Sequence, residues 1–190
     1  MKWSDYSYDD FYIPYDENQR AIRGFLLTTL KIDLNDIPIV FHEYFNYIDG
    51  SMNRISYSAE KVYLSSIIGS SYKDYSDMRI IDSYMRIKRA AKYIQQGVVT
   101  KGKFFYMLKK PCKDQLCPVL LSCNSDHSQY WVDGNGNHRI ILYKIMMLSE
   151  IAEQCKLLFD GRYDPSYMRF DDIAKKYWLN AYVWDLNDSE

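Results

Sequence analysis

Tyr130-Trp131-Val132-Asp133-Gly134-Asn135-Gly136-Asn137-His138-Arg139 is the stretch on which the reading of this chain turns. Residues 129–132 read as a short strand, with aromatic and β-branched residues following a polar turn. Residues 133–137 follow as a turn made of the residue types that best tolerate left-handed backbone. From His138 the period changes. Ile141, Ile145, Leu148, Ala152 and Cys155 recur at helical spacing and predict one apolar helix face. The sequence therefore predicts strand, Gly/Asn turn and helix, with His138 and Arg139 in the first helical turn. Backbone N–H groups are unpaired there and the helix dipole is positive, so a phosphate is a natural guest. The plainer alternative is an ordinary capped turn.

Upstream, residues 118–123 predict a buried strand, and 124–127 a hairpin turn that leads into 129–132. Residues 62–68 predict another strand, ended by Gly69-Ser70-Ser71. An amphipathic helix is expected over 77–96, with Ile80, Tyr84, Ile87, Ala91 and Ile94 inward. Its other face carries Arg79, Arg86, Lys88, Arg89 and Lys92, either a solvated face or a local patch for a phosphate backbone. Residues 103–108 read as a strand. Nearer the N-terminus, a helix reaching about residue 31 would bury Ile22, Phe25, Leu26 and Leu30, while 42–47 reads equally as helix or strand. Beyond the long helix, residues 156–159 read as a strand, Asp171 as the cap of a helix to about 180, and 182–184 as an edge strand.

The composition bounds the function. The 190 residues suffice for one cored domain with a small extension. Nineteen Tyr, eight Phe and four Trp suit half-wet interfaces or reflect compositional drift. A net charge of -1 provides no global positive field for a long nucleic acid, so such a contact needs a local patch. The polar, acidic start and the lack of a long apolar run predict no leader and no membrane span, and place the protein in its host's cytoplasm. Cys112, Cys117, Cys123 and Cys155 form no CxxC pair and no zinc-finger spacing, so they read as reduced thiols, some buried.

The order of strand, helix, strand, hairpin, strand and then Gly136-Asn137-His138-Arg139 with its helix resembles the ParB/sulfiredoxin superfamily. Members carry a short G-x-x-R or G-x-H-R sequence at a helix start after a strand ending in Asp-Gly. Here Asp133-Gly134 precedes the motif with two residues more than the compact version. The likeness covers about residues 61–159. It implies an α+β fold, a small mixed sheet flanked by helices, whose motif holds phosphates of a nucleotide or nucleic acid. The implied organisation is a Tyr-rich N-terminal extension over 1–60, a core over 61–160 and a C-terminal helix and tail over 161–190. The superfamily includes nucleotide-binding partition proteins, a serine kinase, sulfiredoxin and nucleases, so the fold does not fix the reaction. Asn137 stands where sulfiredoxin has Cys, which argues against a thiol reaction. Too little chain follows the helix for the DNA-binding region of the partition proteins.

The candidate site follows. Arg139 would grip phosphate oxygens bidentately or pair with Asp133. His138 would donate to phosphate, act as general acid or base, or bond to backbone. Asp133 would orient His138, bind a metal or simply make the turn. Gly134, Asn135, Gly136 and Asn137 would offer backbone N–H groups and an amide, with Ser70 and Ser71 closing the far side. A divalent metal such as Mg²⁺ or a nucleoside triphosphate is the expected cofactor.

Three functions stand open. The first is metal-assisted phosphodiester or phosphoanhydride cleavage of a nucleotide or nucleic acid, nuclease-like. The second is a non-catalytic module docking on a protein or ribonucleoprotein through the Tyr-rich arm, a character that fits a phage or mobile-element anti-defence inhibitor. The third is an antitoxin-like interaction protein in which the motif is a relic.

Overall fold

The structure is a computed structural model and describes residues 15–37, 44–49, 54–84, 87, 101–159 and 170–186. Helix α1 (Tyr15–Gly24) continues into a π-helical segment, Phe25–Leu30. There follow β1 (Tyr44–Tyr47), β2 (Arg54–Tyr63), β3 (Ile67–Ser70), β4 (Met78–Arg79) and the short helix α2 (Ile80–Ser83). Helix α3 (Lys101–Lys109) precedes the pair β5 (Val119–Cys123) and β6 (Tyr130–Val132). Last come α4 (Asn137–Phe159), α5 (Phe170–Ala174) and β7 (Trp178–Leu186).

The fold is α+β. Among the described residues, seven strands form one mixed sheet in the order β2-β7-β5-β6-β3-β1-β4. The hairpin forms as the sequence predicts: β5 and β6 pair antiparallel, with Cys123 opposite Tyr130 and Leu121 opposite Val132. Strand β6 then runs parallel to β3, and β3 parallel to β1. The ends of all three strands therefore meet at one edge: Tyr47 pairs with Ser70, and Ser70 with Val132.

The long helix is more deeply placed than one apolar face requires. Residues 140–148 are buried without interruption, Lys144 among them. A helix enclosed on all sides belongs at the centre of a core, and α4 packs against α2 and α5. Its predicted face holds, with Ile141, Ile145, Leu148 and Ala152 all buried. Cys155 lies in α4, its side chain outside those described. Near the N-terminus, Ile22, Phe25, Leu26 and Leu30 are buried as the helical spacing predicts.

Several elements differ from expectation. Residues 103–108 lie in helix α3, because Phe104 and Leu108, four apart, both enter the core against the sheet. Residues 156–159 continue α4 instead of forming a strand. The last helix stops at Ala174, and Trp178–Leu186 is a strand with Leu179, Ala181, Val183 and Leu186 buried. That strand is interior, antiparallel to β2 and parallel to β5, not an edge. Residues 62–68 span the end of β2, a 3-10 turn at Leu64–Ser66 and the start of β3. The ambiguous stretch 42–47 resolves as β1 over its described part, Tyr44–Tyr47. The expected helix over 77–96 is realised only as β4 and α2 within the described residues, and most of the rest of that span lies outside them. The tyrosine-rich start up to residue 14 also lies outside them. No helix of the described residues is long and apolar enough to cross a membrane.

Four aromatic rings lock α3, α4 and the start of β7 together. Phe105 lies edge-on to Tyr143 at 5.2 Å, and Tyr143 lies 5.1 Å from Tyr177. Phe104 meets Tyr143 edge-on at 6.1 Å. The Tyr177 hydroxyl reaches Glu150 Oε2 at 2.8 Å and the Met146 carbonyl at 3.2 Å. Burial, with Glu150 beside it, pushes the Tyr177 hydroxyl far up, so it stays a neutral donor. Tyr177→Phe keeps the ring and removes that donor. The urea midpoint should fall by the equivalent of about 1–2 kcal/mol with an unchanged slope.

Candidate functional site

The Gly/Asn turn closes because two glycines take backbone that side chains avoid. Gly134 has φ of 114° and Gly136 of 134°. A Cβ on Gly136 would meet Val119 Cγ1 at 2.9 Å, so the turn lies tight against the start of β5. Asn135 fastens it there: its carbonyl accepts from Leu120 N at 2.9 Å, and its Nδ2 donates to the Pro118 carbonyl at 3.0 Å. Helix α4 begins at once, with Ile140 N donating to the Gly136 carbonyl at 2.9 Å.

Asp133 is buried, 5% exposed, at the end of β6. Its Oδ2 accepts from Ser122 Oγ at 2.5 Å and its Oδ1 from Ser71 Oγ at 3.1 Å. Ser71 N also donates to the Val132 carbonyl at 3.0 Å, and Ser70 Oγ accepts from Tyr72 N at 3.1 Å. The two serines placed at this edge by position alone thus do meet the motif. Both lie at the edge where β3 and β6 end, and their hydroxyls bond there to Val132, Asp133 and Tyr72.

His138 lies half-buried, with Nε2 2.7 Å from the Tyr75 hydroxyl and the two rings edge-on at 5.3 Å. Arg139 is 7% exposed, and its Nη1 donates to the Cys117 carbonyl. The guanidinium therefore ties the loop before β5 to the first turn of α4. It keeps its positive charge near the helix mouth, but this nitrogen is committed to the protein. Asn137, also 7% exposed, has a buried Oδ1 with no hydrogen-bond partner. A buried amide oxygen left unbonded is costly, and the O and N of such an amide are interchangeable by rotation.

The basic patch is represented by Arg79 alone among the described residues. Its Nε donates to Asp82 Oδ2 at 2.6 Å, which favours the charged guanidinium. Arg86, Arg89 and Lys92 lie outside the described residues.

A second constellation lies at the other end of the β5–β6 hairpin, which sequence reasoning did not find. Cys123, His127 and Asp185 bring one ligand atom each within 4.8 Å of one another, a group that could hold a metal ion. His127 Nε2 is 3.2 Å from Asp185 Oδ1, and Cys123 Sγ donates to the same oxygen at 3.5 Å. His127 Nδ1 faces Glu60 Oε2 at 3.3 Å, and Ser56 Oγ donates to Asp185 Oδ2 at 2.8 Å. Burial, with Asp185 beside it, pushes the Cys123 thiol up to about 12. The Ser56 bond holds the Asp185 carboxyl below its usual range. The signal in the sequence was Cys123-x-x-x-His127 in a hairpin turn. Asp185 and Glu60 are far along the chain and reach it only through the pairing of β7 with β2 and β5.

No protein-family model matches the chain, and no curated protein or solved structure is significantly similar to it, so the ParB/sulfiredoxin resemblance rests on the residues quoted above.

Proposed function

We propose that the protein binds the phosphate of a nucleotide or nucleic acid at the mouth of α4 and acts on it by phosphodiester or phosphoanhydride cleavage. What carries the reading is the convergence, at one edge, of the ends of three parallel strands and the start of a 23-residue helix. Ligands of α/β sheets favour the crevice beyond the carboxyl ends of parallel strands, and helix mouths favour anions. The buried Oδ1 of Asn137 has no partner; with the amide rotated so that Nδ2 takes its place, the side chain offers a donor to a phosphate oxygen, which supports a ligand there beyond what a helix start alone would.

In this reading the backbone N–H groups of the first turn and the Asn137 amide hold phosphate oxygens. Arg139 contributes charge from behind while fixing the loop. His138, paired with Tyr75, is the group positioned to carry a proton. Tyr72, 46% exposed, follows Ser71 at the same edge and offers a face on which a base can stack. Asp133, with both oxygens engaged by serine hydroxyls, serves as the anchor of the turn. A divalent metal would arrive with the nucleotide and neutralise developing charge.

The test is calorimetric titration with nucleoside mono- and triphosphates and short RNA and DNA, beside a turnover assay with Mg²⁺. Asn137→Ala and His138→Ala should each weaken binding about tenfold, about 1.4 kcal/mol, and His138→Ala should abolish turnover. Absence of binding by every ligand would end the proposal. Binding without turnover would retain the site and remove the cleavage.

A further inference from the structure

We propose that Cys123 Sγ, His127 Nε2 and Asp185 Oδ1 bind a divalent ion of the zinc class at the β5–β6 turn, with the fourth position open to solvent. The argument begins with distances. Metal–ligand bonds of about 2.0–2.3 Å in a tetrahedron separate nitrogen from oxygen by about 3.4 Å and sulfur from oxygen by about 3.6 Å. The protein holds these pairs at 3.2 and 3.5 Å. Two of the three donor pairs already stand at the separation a small tetrahedral ion needs, and all three donor atoms lie within 4.8 Å of one another.

The outer contacts favour the same outcome. A ligating histidine donates its other ring N–H to a carboxylate, which fixes tautomer and ring plane. Glu60 Oε2 is placed to receive the Nδ1 proton of His127 and also receives the Tyr130 hydroxyl at 3.4 Å. Ser56 occupies Asp185 Oδ2 and leaves Oδ1 facing sulfur and nitrogen. His127 and Asp185 are therefore each aimed by a partner that does not itself point at the metal.

The donor set selects the ion. A thiolate and an imidazole suit zinc, cobalt or copper and suit Mg²⁺ poorly. Binding displaces the thiol proton to solvent, converts the S–H···O bond into two metal bonds, and takes His127 as neutral imidazole. The ion would join the turn at His127, the end of β5, and β7, with Glu60 extending the tie to β2. Three protein ligands and an exposed fourth position are the arrangement of an ion that accepts water or a small donor from solution. The site lies at the opposite end of the β5–β6 pair from the mouth of α4, so it stands or falls independently of the phosphate reading.

The full-length chain, stripped with chelator and kept reduced, should be titrated with Co²⁺ and followed by absorption. The expected result is the intense visible bands of tetrahedral cobalt with a thiolate charge-transfer band, both bleached by Zn²⁺ and unaffected by Mg²⁺. Cys123→Ser should remove the charge-transfer band. His127→Asn, which keeps a residue tolerant of the left-handed backbone at that position (φ 54°), should remove tetrahedral binding while the protein remains folded by circular dichroism. Glu60→Gln, which leaves every donor in place, should weaken the cobalt complex about 10- to 100-fold. A pale octahedral spectrum without charge transfer would overturn the proposal. So would unchanged cobalt affinity in folded His127→Asn.

Discussion

Gly69→Ala is expected to lose at least about 3 kcal/mol of folding stability, or to leave the chain unfolded at ambient temperature. Gly69 lies in the middle of β3, between β1 and β6, where both neighbouring strands run parallel to it. A Cβ there would stand 2.1 Å from the Asn46 carbonyl oxygen and 2.5 Å from Trp131 Cδ1. A flexible side chain could swing aside, but a ladder carbonyl cannot move without breaking the pairing of β1. The damage would spread to the edge where the candidate phosphate site lies, since Ser70 and Ser71 follow directly. Gly24→Ala is the internal control. Its Cβ would meet nothing within 4 Å, and its backbone is right-handed helical. That change should be neutral or raise stability by up to about 1 kcal/mol. Urea unfolding of the two variants beside wild type settles the point. Equal midpoints for all three would mean that the three parallel strands do not pack as described.

Asp133→Ala should cost about 3 kcal/mol. The carboxylate joins β6 to β5 through Ser122 and to the end of β3 through Ser71. Removing it strands the Ser122 hydroxyl, which is itself buried, so the variant loses the bonds and leaves a polar atom dry. Asp133→Asn should cost less, about 1 kcal/mol, because an amide can accept from one serine while the other hydroxyl rotates to accept from it. The ordering of these variants is the informative result. If Asn proved as damaging as Ala, the charge of Asp133 would matter beyond its two hydroxyl bonds, and its role as a mere anchor would be lost.

These two residues also show what the sequence could and could not disclose. The strand, turn and helix around residues 130–139 were readable because each local signal agrees: aromatic and β-branched residues, then Gly and Asn, then a 3.6 period. Both glycines of that turn take the positive φ that the turn chemistry demands. The inward bond of Arg139 to the Cys117 carbonyl was not readable, because it depends on where the loop before β5 comes to rest. The hydroxyls that hold Asp133 come from two other strands and were equally hidden.

Where local signals conflicted, packing decided. Residues 103–108 carry aromatic residues that suit a strand, yet Phe104 and Leu108 share one helical face and both are buried. Residues 178–183 alternate in burial, but their sequence is mostly apolar on both faces, and Asp171 read as the cap of a helix to about 180, which hid the start of the strand. Nothing local says that this last strand returns to the interior of the sheet, between β2 and β5. That return is also what brings Asp185 to Cys123 and His127. A composition rich in Cys and His would have pointed to such a cluster, whereas a group assembled across 62 residues is visible only in three dimensions.

An anion seated at the mouth of α4 would be seen in backbone amide chemical shifts during titration with inorganic phosphate and then with a nucleotide. The expected result is saturable shifts confined to the amides of residues 134–139 and of Ser71 and Tyr72, larger for the nucleotide and reached at about tenfold higher ligand concentration in Asn137→Ala. Shifts absent from those amides at saturating nucleotide, or spread evenly over the surface, would contradict it.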